Sequence, residues 1–117
     1  MNNFTDALKQ RNLEELRKHP KADLHNHFVL GGSRSFLYQA TDKRIEPITH
    51  PMSSMDEMEA WSQKYIGQYF NSTEMRKLLI KAAFQQAKED GVTVLEIGED
   101  VWGLGEFFNN DIDELVD

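Results

Sequence analysis

Apolar residues recur along the chain in two different rhythms. In "TDALKQRNLEELRKH", Leu8, Leu13 and Leu16 fall near helical spacing and Pro20 ends the pattern, which predicts one helix or two short ones over Thr5 to Lys18. "KADLHNHF" instead alternates and runs into Gly31 and Gly32, the signature of a strand closing in a tight loop. After the glycines, Ser33 can cap a short helix with Phe36, Leu37 and Ala40 on one side. "RIEPITHPMSS" carries Pro47 and Pro51, each without a backbone donor, and reads as a loop.

Two further helices follow. Ser54 and Glu57 have capping-box spacing ahead of Met58, Trp61, Tyr65, Ile66 and Tyr69. Ser72 or Thr73 then caps "EMRKLLIKAAFQQAKED", where Met75, Leu78, Leu79, Ala82, Ala83 and Gln86 share a face and Gly91 is the expected left-handed terminator. "VTVLEIG" is a continuous apolar run rich in β-branched residues, as in strands covered on both faces. In "NNDIDELVD", Asn110 or Asp111 can cap a helix whose first turn holds Asp113 and Glu114.

The order helix, strand, helices, strand predicts an α/β fold. If the two strands share a sheet, they are parallel and joined by a right-handed crossover. The last helix opens with caps and acids but runs for only about two turns, whereas isolated helices need roughly 12 to 15 residues to be marginal in water. The expectation is therefore the front part of a longer fold. One domain fragment divides into a helical lead-in at 1–19, a first strand with its histidine motif at 20–33, a helical region at 34–90, and a second strand with the start of the next helix at 91–117.

Composition narrows the function classes. The 117 residues carry 13 Lys and Arg against 20 Asp and Glu, a net charge of −7, so a phosphate backbone would be repelled and nucleic-acid binding is not expected. No Lys or Arg follows Lys88, while Glu96, Glu99, Asp100, Glu106, Asp111, Asp113, Glu114 and Asp117 crowd the C-terminal part. With no cysteine, a bound metal would have to use imidazole, carboxylate or water. The absence of a leader pattern and of any long apolar run predicts a cytoplasmic chain with no membrane contact.

The candidate chemistry sits in "PKADLHNHFVLGGSR". On a strand, Asp23, His25 and His27 point one way and Leu24, Asn26 and Phe28 the other, so two imidazoles aim at one point. A divalent metal needs neutral imidazole nitrogens at roughly 2.0–2.1 Å, and a rigid strand supplies that direction. The same spacing equally serves histidines that cap a strand end or hydrogen-bond near solvent. Asp23 is a candidate to orient an imidazole through its carboxylate; the alternative is an acid paired with Lys21 or solvent. His50 is a remote candidate for a third ligand, and His19 fits the negative end of the first helix. Glu96 and Glu99 stand where the second strand ends. The Trp61, Tyr65 and Tyr69 stripe reads as packing surface.

The run "PKADLHNHFVLGGSRSFL" resembles the opening of the adenosine deaminase-like branch of the metal-dependent amidohydrolase superfamily, and "EDGVTVLEIGED" is similar to that family's second strand. The resemblance implies the N-terminal portion, about two strands plus helices, of a (β/α)8 TIM barrel, here an incomplete barrel. It implies that His25 and His27 ligate a divalent metal, zinc above all, which activates a water for hydrolytic deamination. It also implies, for a full-length parent, a small-molecule substrate such as a purine nucleoside or related amine. Members acting on adenosine commonly carry an Asp two residues after the second histidine, where Val29 stands here. The family's remaining ligands and proton donor come from later strands, so no complete catalytic set is expected in this chain. Two other readings stay open: a superfamily member hydrolysing an amide or ester, and a non-enzymatic protein that forms a homo-oligomer through exposed strand edges and apolar helix faces.

Overall fold

A computed structural model describes residues 3–98 and 101–116, and the fold is mixed α/β. Two short helices, α1 (Phe4–Lys9) and α2 (Leu13–Lys18), lead in. Asn3 and Asn12 cap them by accepting the Asp6 and Glu15 N–H groups, and Arg11 at φ 53° makes the break between them. Strand β1 (Lys21–His27) follows, then a four-residue helical turn α3 (Phe28–Gly31) and helix α4 (Arg34–Thr41). After a loop come α5 (Met55–Ser62), a π-helical turn at Gln63–Gly67, the long α6 (Thr73–Glu89), strand β2 (Val92–Gly98), α7 (Val101–Phe108) and α8 (Ile112–Val116).

The two strands pair in parallel, from Lys21 opposite Val92 to His27 opposite Gly98. The pairing has two irregularities. Between Lys21 and Ala22 the partner strand advances by two residues, and Thr93 Oγ donates to the Lys21 carbonyl across the gap (3.1 Å). Between Asp23 and Asn26, β1 instead carries the extra residue, a bulge that lifts Leu24 and His25 together to the exposed side. Simple alternation therefore fails in mid-strand.

The core forms where α3, α4 and the π turn meet α6: Phe28, Leu37, Ile45, Ile66, Phe70, Leu79, Ala82 and Ala83 are all buried. Phe28 and Leu79 expose no surface, and each full burial of this kind contributes about 1.5–3 kcal/mol. Small residues on α6 let the chain after β1 approach closely. A β-carbon on Gly32 would lie 2.8 Å from the Ala82 β-carbon, and the Ser33 N–H donates to the Ala82 carbonyl (2.9 Å).

Several sequence expectations are corrected. Phe28 does not continue the strand but begins a helical turn with its own ring buried, because the core on α6 takes that ring more favourably than a sheet face would. Ala40 is exposed, whereas Leu37 is buried and Phe36 packs half-buried against the core. Strand β2 is not covered on both faces: Thr93, Val94 and Glu96 are exposed, since helix α6 packs on one side only. Helix α7 is not among the expected elements, and Gly103 and Gly105 lower its helix propensity. The radius of gyration, 16.1 Å, exceeds the roughly 13 Å of a self-contained domain of this length, which fits a sheet with uncovered faces.

The helix boundaries follow their caps. Ser33, Ser54 and Ser72 accept from the Phe36, Glu57 and Met75 N–H groups. Gly91, at φ 74°, ends α6 as its spacing predicts. The capping box at α5 is shifted by one residue, with the Glu57 carboxylate accepting from the Ser53 N–H and hydroxyl. No described helix is long and apolar enough to cross a membrane.

Candidate metal centre

His25 and His27 end β1, beside the C-terminal end of β2. Their ring centroids lie 4.9 Å apart with planes inclined at 48°, and the two Nε2 atoms are 2.9 Å apart. One ring must then donate its Nε2–H and the other accept, so the pair shares a single proton between facing nitrogens. An ion held at about 2.0–2.1 Å from both would see them at an angle near 90°, and a small opening of the rings reaches the tetrahedral angle. Donor type, direction and spacing thus suit one half of a coordination sphere. Both imidazoles are exposed, so an ion has open access.

The histidines line a hollow of about 230 Å³ with Leu24, Asn26, Glu96, Ile97 and Gly98. Glu96, which the sequence offers as a strand-end acid, is thereby brought to the same concavity from β2. Among the described residues there is nonetheless no group of three or more metal-ligating side chains. Glu99 lies outside the described residues.

Asp23 does not orient an imidazole through its carboxylate. One oxygen accepts from the His25 backbone N–H (3.3 Å) and the other from the Asn26 side-chain amide (2.7 Å). It braces the bulge that carries the histidines and so acts on them through the main chain. Nor is Asp23 paired with Lys21, whose ammonium donates to the Leu16 and His19 carbonyls (2.6 and 2.9 Å) and closes the C-terminal end of α2.

Asn26 is a residue that pattern reading leaves without a role. Its Nδ2 holds Asp23, while its Oδ1 is buried without a hydrogen-bond partner among the described residues. An Asn three residues after an Asp carries no distinctive signal, so only the fold reveals the clamp. Arg76 is similar. It sits buried on α6, its guanidinium 5.1 Å from the Phe28 ring centre and 4.8 Å from that of Phe107, and so supports the turn that follows His27 from below.

The other histidines are engaged elsewhere. His50 Nε2 donates to Glu57 Oε1 (2.7 Å) at the start of α5. With both Ser53 donors on its other oxygen and His50 on this one, the Glu57 carboxyl is held down to about 2, the Ser53 backbone hydrogen bond contributing most. His19 sets its ring edge-on to Phe4 (5.9 Å, 90°), while its backbone N–H donates to the Leu16 carbonyl. The Trp61 and Tyr65 rings meet at a tilt of 42° with centroids 5.5 Å apart and pack against the core, and Tyr69 lies on the surface under the Lys43 ammonium.

Comparisons with protein-family models, with curated proteins and with solved structures give no match for this chain.

Proposed function

We propose that this chain is the N-terminal portion of an adenosine deaminase-like, metal-dependent hydrolase built on a (β/α)8 barrel, with His25 and His27 as two of the ligands to a divalent metal, zinc above all. The observation that carries the reading is the 2.9 Å approach of the two Nε2 atoms at the C-terminal end of a strand in a parallel pair. Barrel enzymes of this class place their catalytic groups at that end of the strands. The chain's resemblance over "PKADLHNHFVLGGSRSFL" supplies the reaction class, hydrolytic removal of an amino group from a purine nucleoside or related amine by the full-length parent.

When bound, the metal supplies a water activated for attack at the carbon that bears the amino group. The part of this chain is to hold and aim the ion. The bulge sets the two imidazoles, Asp23 fixes the backbone at His25, and Glu96 presents a carboxylate across the hollow. With no three-ligand group among the described residues, the isolated chain is expected to show no deaminase activity.

The deciding experiment is titration calorimetry with zinc on the purified chain beside a His25→Ala/His27→Ala variant. Stoichiometric binding that disappears in the variant supports the reading. Equal heats from the two proteins would remove the metal role of the pair.

One observation favours a second reading, a non-enzymatic oligomerising protein. Leu24 and Val94 are 60% and 52% exposed on the two paired strands, and unpaired strand edges invite association. A monomer at micromolar concentration would count against it.

A further inference from the structure

Three hollows, of about 450, 250 and 180 Å³, are each lined in part by Phe84 on the outer side of α6. The two larger hollows form a groove between α6 and β2 with Ile80, Leu95 and Ile97 at its floor, the smallest continues it between α6 and α8, and Phe84 itself is 57% exposed. Lys77 and Lys81 line one end and Lys88 the other. None of these three lysines forms an ion pair with a described residue.

Helix α8 lies over this groove but fills it poorly. Leu115 and Val116 touch it and leave the 250 Å³ hollow beneath, while Ile112 is 63% and Val116 77% exposed. Its acids Asp113 and Glu114 form no ion pair among the described residues either, although lysines line the same groove. Charge is segregated along the chain: all 13 Lys and Arg lie at or before Lys88, and 10 acids with no base come after it. The connection to α8 runs through Asn109 and Asn110, both left-handed at φ 51° and 59°. Asparagine tolerates that region but is not confined to it, so the turn can open at little cost.

We propose that the Phe84 groove is the seat for α8 of a second copy of this chain, exchanged reciprocally between two molecules about the Asn109–Asn110 hinge. Freed from the Asn109–Asn110 turn, the exchanged α8 settles deeper than it does over its own groove, so that the acids of one copy meet Lys77 and Lys81 of the other and Ile112 gains an apolar floor. Exchange about a short hinge is a low-cost route to a two-fold dimer. This inference is independent of the metal reading.

The test is light scattering of the full chain at tens of micromolar, at salt of about 0.05 M and about 0.5 M, which respectively leave and screen surface charge pairs. A dimer is expected in low salt, weakened in high salt. Lys77→Glu/Lys81→Glu and Asp113→Lys/Glu114→Lys should each weaken dimerisation about tenfold or more. An equimolar mixture of the two should recover a heterodimer, because each α8 then finds a groove of opposite charge. Phe84→Glu checks the same seat through its apolar floor should either charge variant fail to fold. The His25→Ala/His27→Ala variant should dimerise as the parent does, so loss of zinc binding and loss of dimer are read separately. A monomer under every condition would overturn the proposal. So would a dimer indifferent to both reversals, which would locate association at the sheet edges instead.

Discussion

Replacing Gly91 by alanine should destabilise the chain more than the same replacement at Gly31, Gly32, Gly67, Gly98 or Gly105. Gly91 sits at φ 74°, where a β-carbon meets the following carbonyl at a cost of about 1–2 kcal/mol. A β-carbon there would also lie 1.8 Å from the Arg17 carbonyl oxygen and 3.1 Å from the Lys21 ammonium. The oxygen is main chain, at the end of α2, so no side-chain rotation relieves the overlap. Moving a packed segment in this way typically costs about 1–3 kcal/mol more. The sum, about 2–5 kcal/mol, is a large part of the 5–15 kcal/mol that holds a typical domain together. Urea unfolding followed by far-ultraviolet circular dichroism measures it, and at a slope of about 1–3 kcal/mol per molar urea the midpoint should fall by roughly 1 M or more. Gly91→Asn separates the two causes. Asparagine accepts the left-handed conformation but keeps the β-carbon, so it should retain most of the loss. Gly98→Ala is the control, since nothing lies within 4 Å of its added carbon. A Gly91→Ala midpoint close to that of the parent, or a Gly91→Asn variant as stable as the parent, would refute the reasoning.

Further outcomes follow from the caps and the bulge. Because the Glu57 carboxyl is held down to about 2 in the fold, against 4.5 ordinarily, its contribution is complete above the ordinary value and is lost as pH falls toward 2. Glu57→Gln should thus melt at lower temperature than the parent near neutrality, with the two melting points converging in strong acid; a gap of constant size would disprove the link. Ser72→Ala removes the acceptor for the Met75 N–H and should cost about 1 kcal/mol in urea unfolding, with Ser72→Gly costing less. Asp23→Ala should weaken zinc binding about 10-fold to 100-fold while leaving both histidines in place, because the bulge loses its brace. Unchanged affinity in calorimetry would show that the bulge holds its shape without it.

Local chemistry carried much of the fold into the sequence. Ser33, Ser54 and Ser72 cap the helices they precede, Gly91 ends the long helix, and both strands lie within the alternating and β-branched runs that predict them. These signals depend on neighbours within about four residues, so sequence order alone determines them. The same holds for the histidine pair, where a spacing of two residues already implies a shared direction.

What the sequence could not fix depends on contacts between distant segments. Alternation predicts one face for Asp23, His25 and His27, but the parallel register with β2 adds a bulge, turns Leu24 and His25 out together and recruits the Asp23 carboxylate and Asn26 as its brace. Phe28 leaves the strand because the Leu79, Ala82 and Ala83 surface, some 50 residues away, offers its ring a dry seat. Glu96 reaches the histidine hollow only through strand pairing. The residue types at the candidate site are therefore a property of the sequence, while the 2.9 Å meeting of the two nitrogens is a property of the packed fold, which alone can fix distance between rings free to rotate.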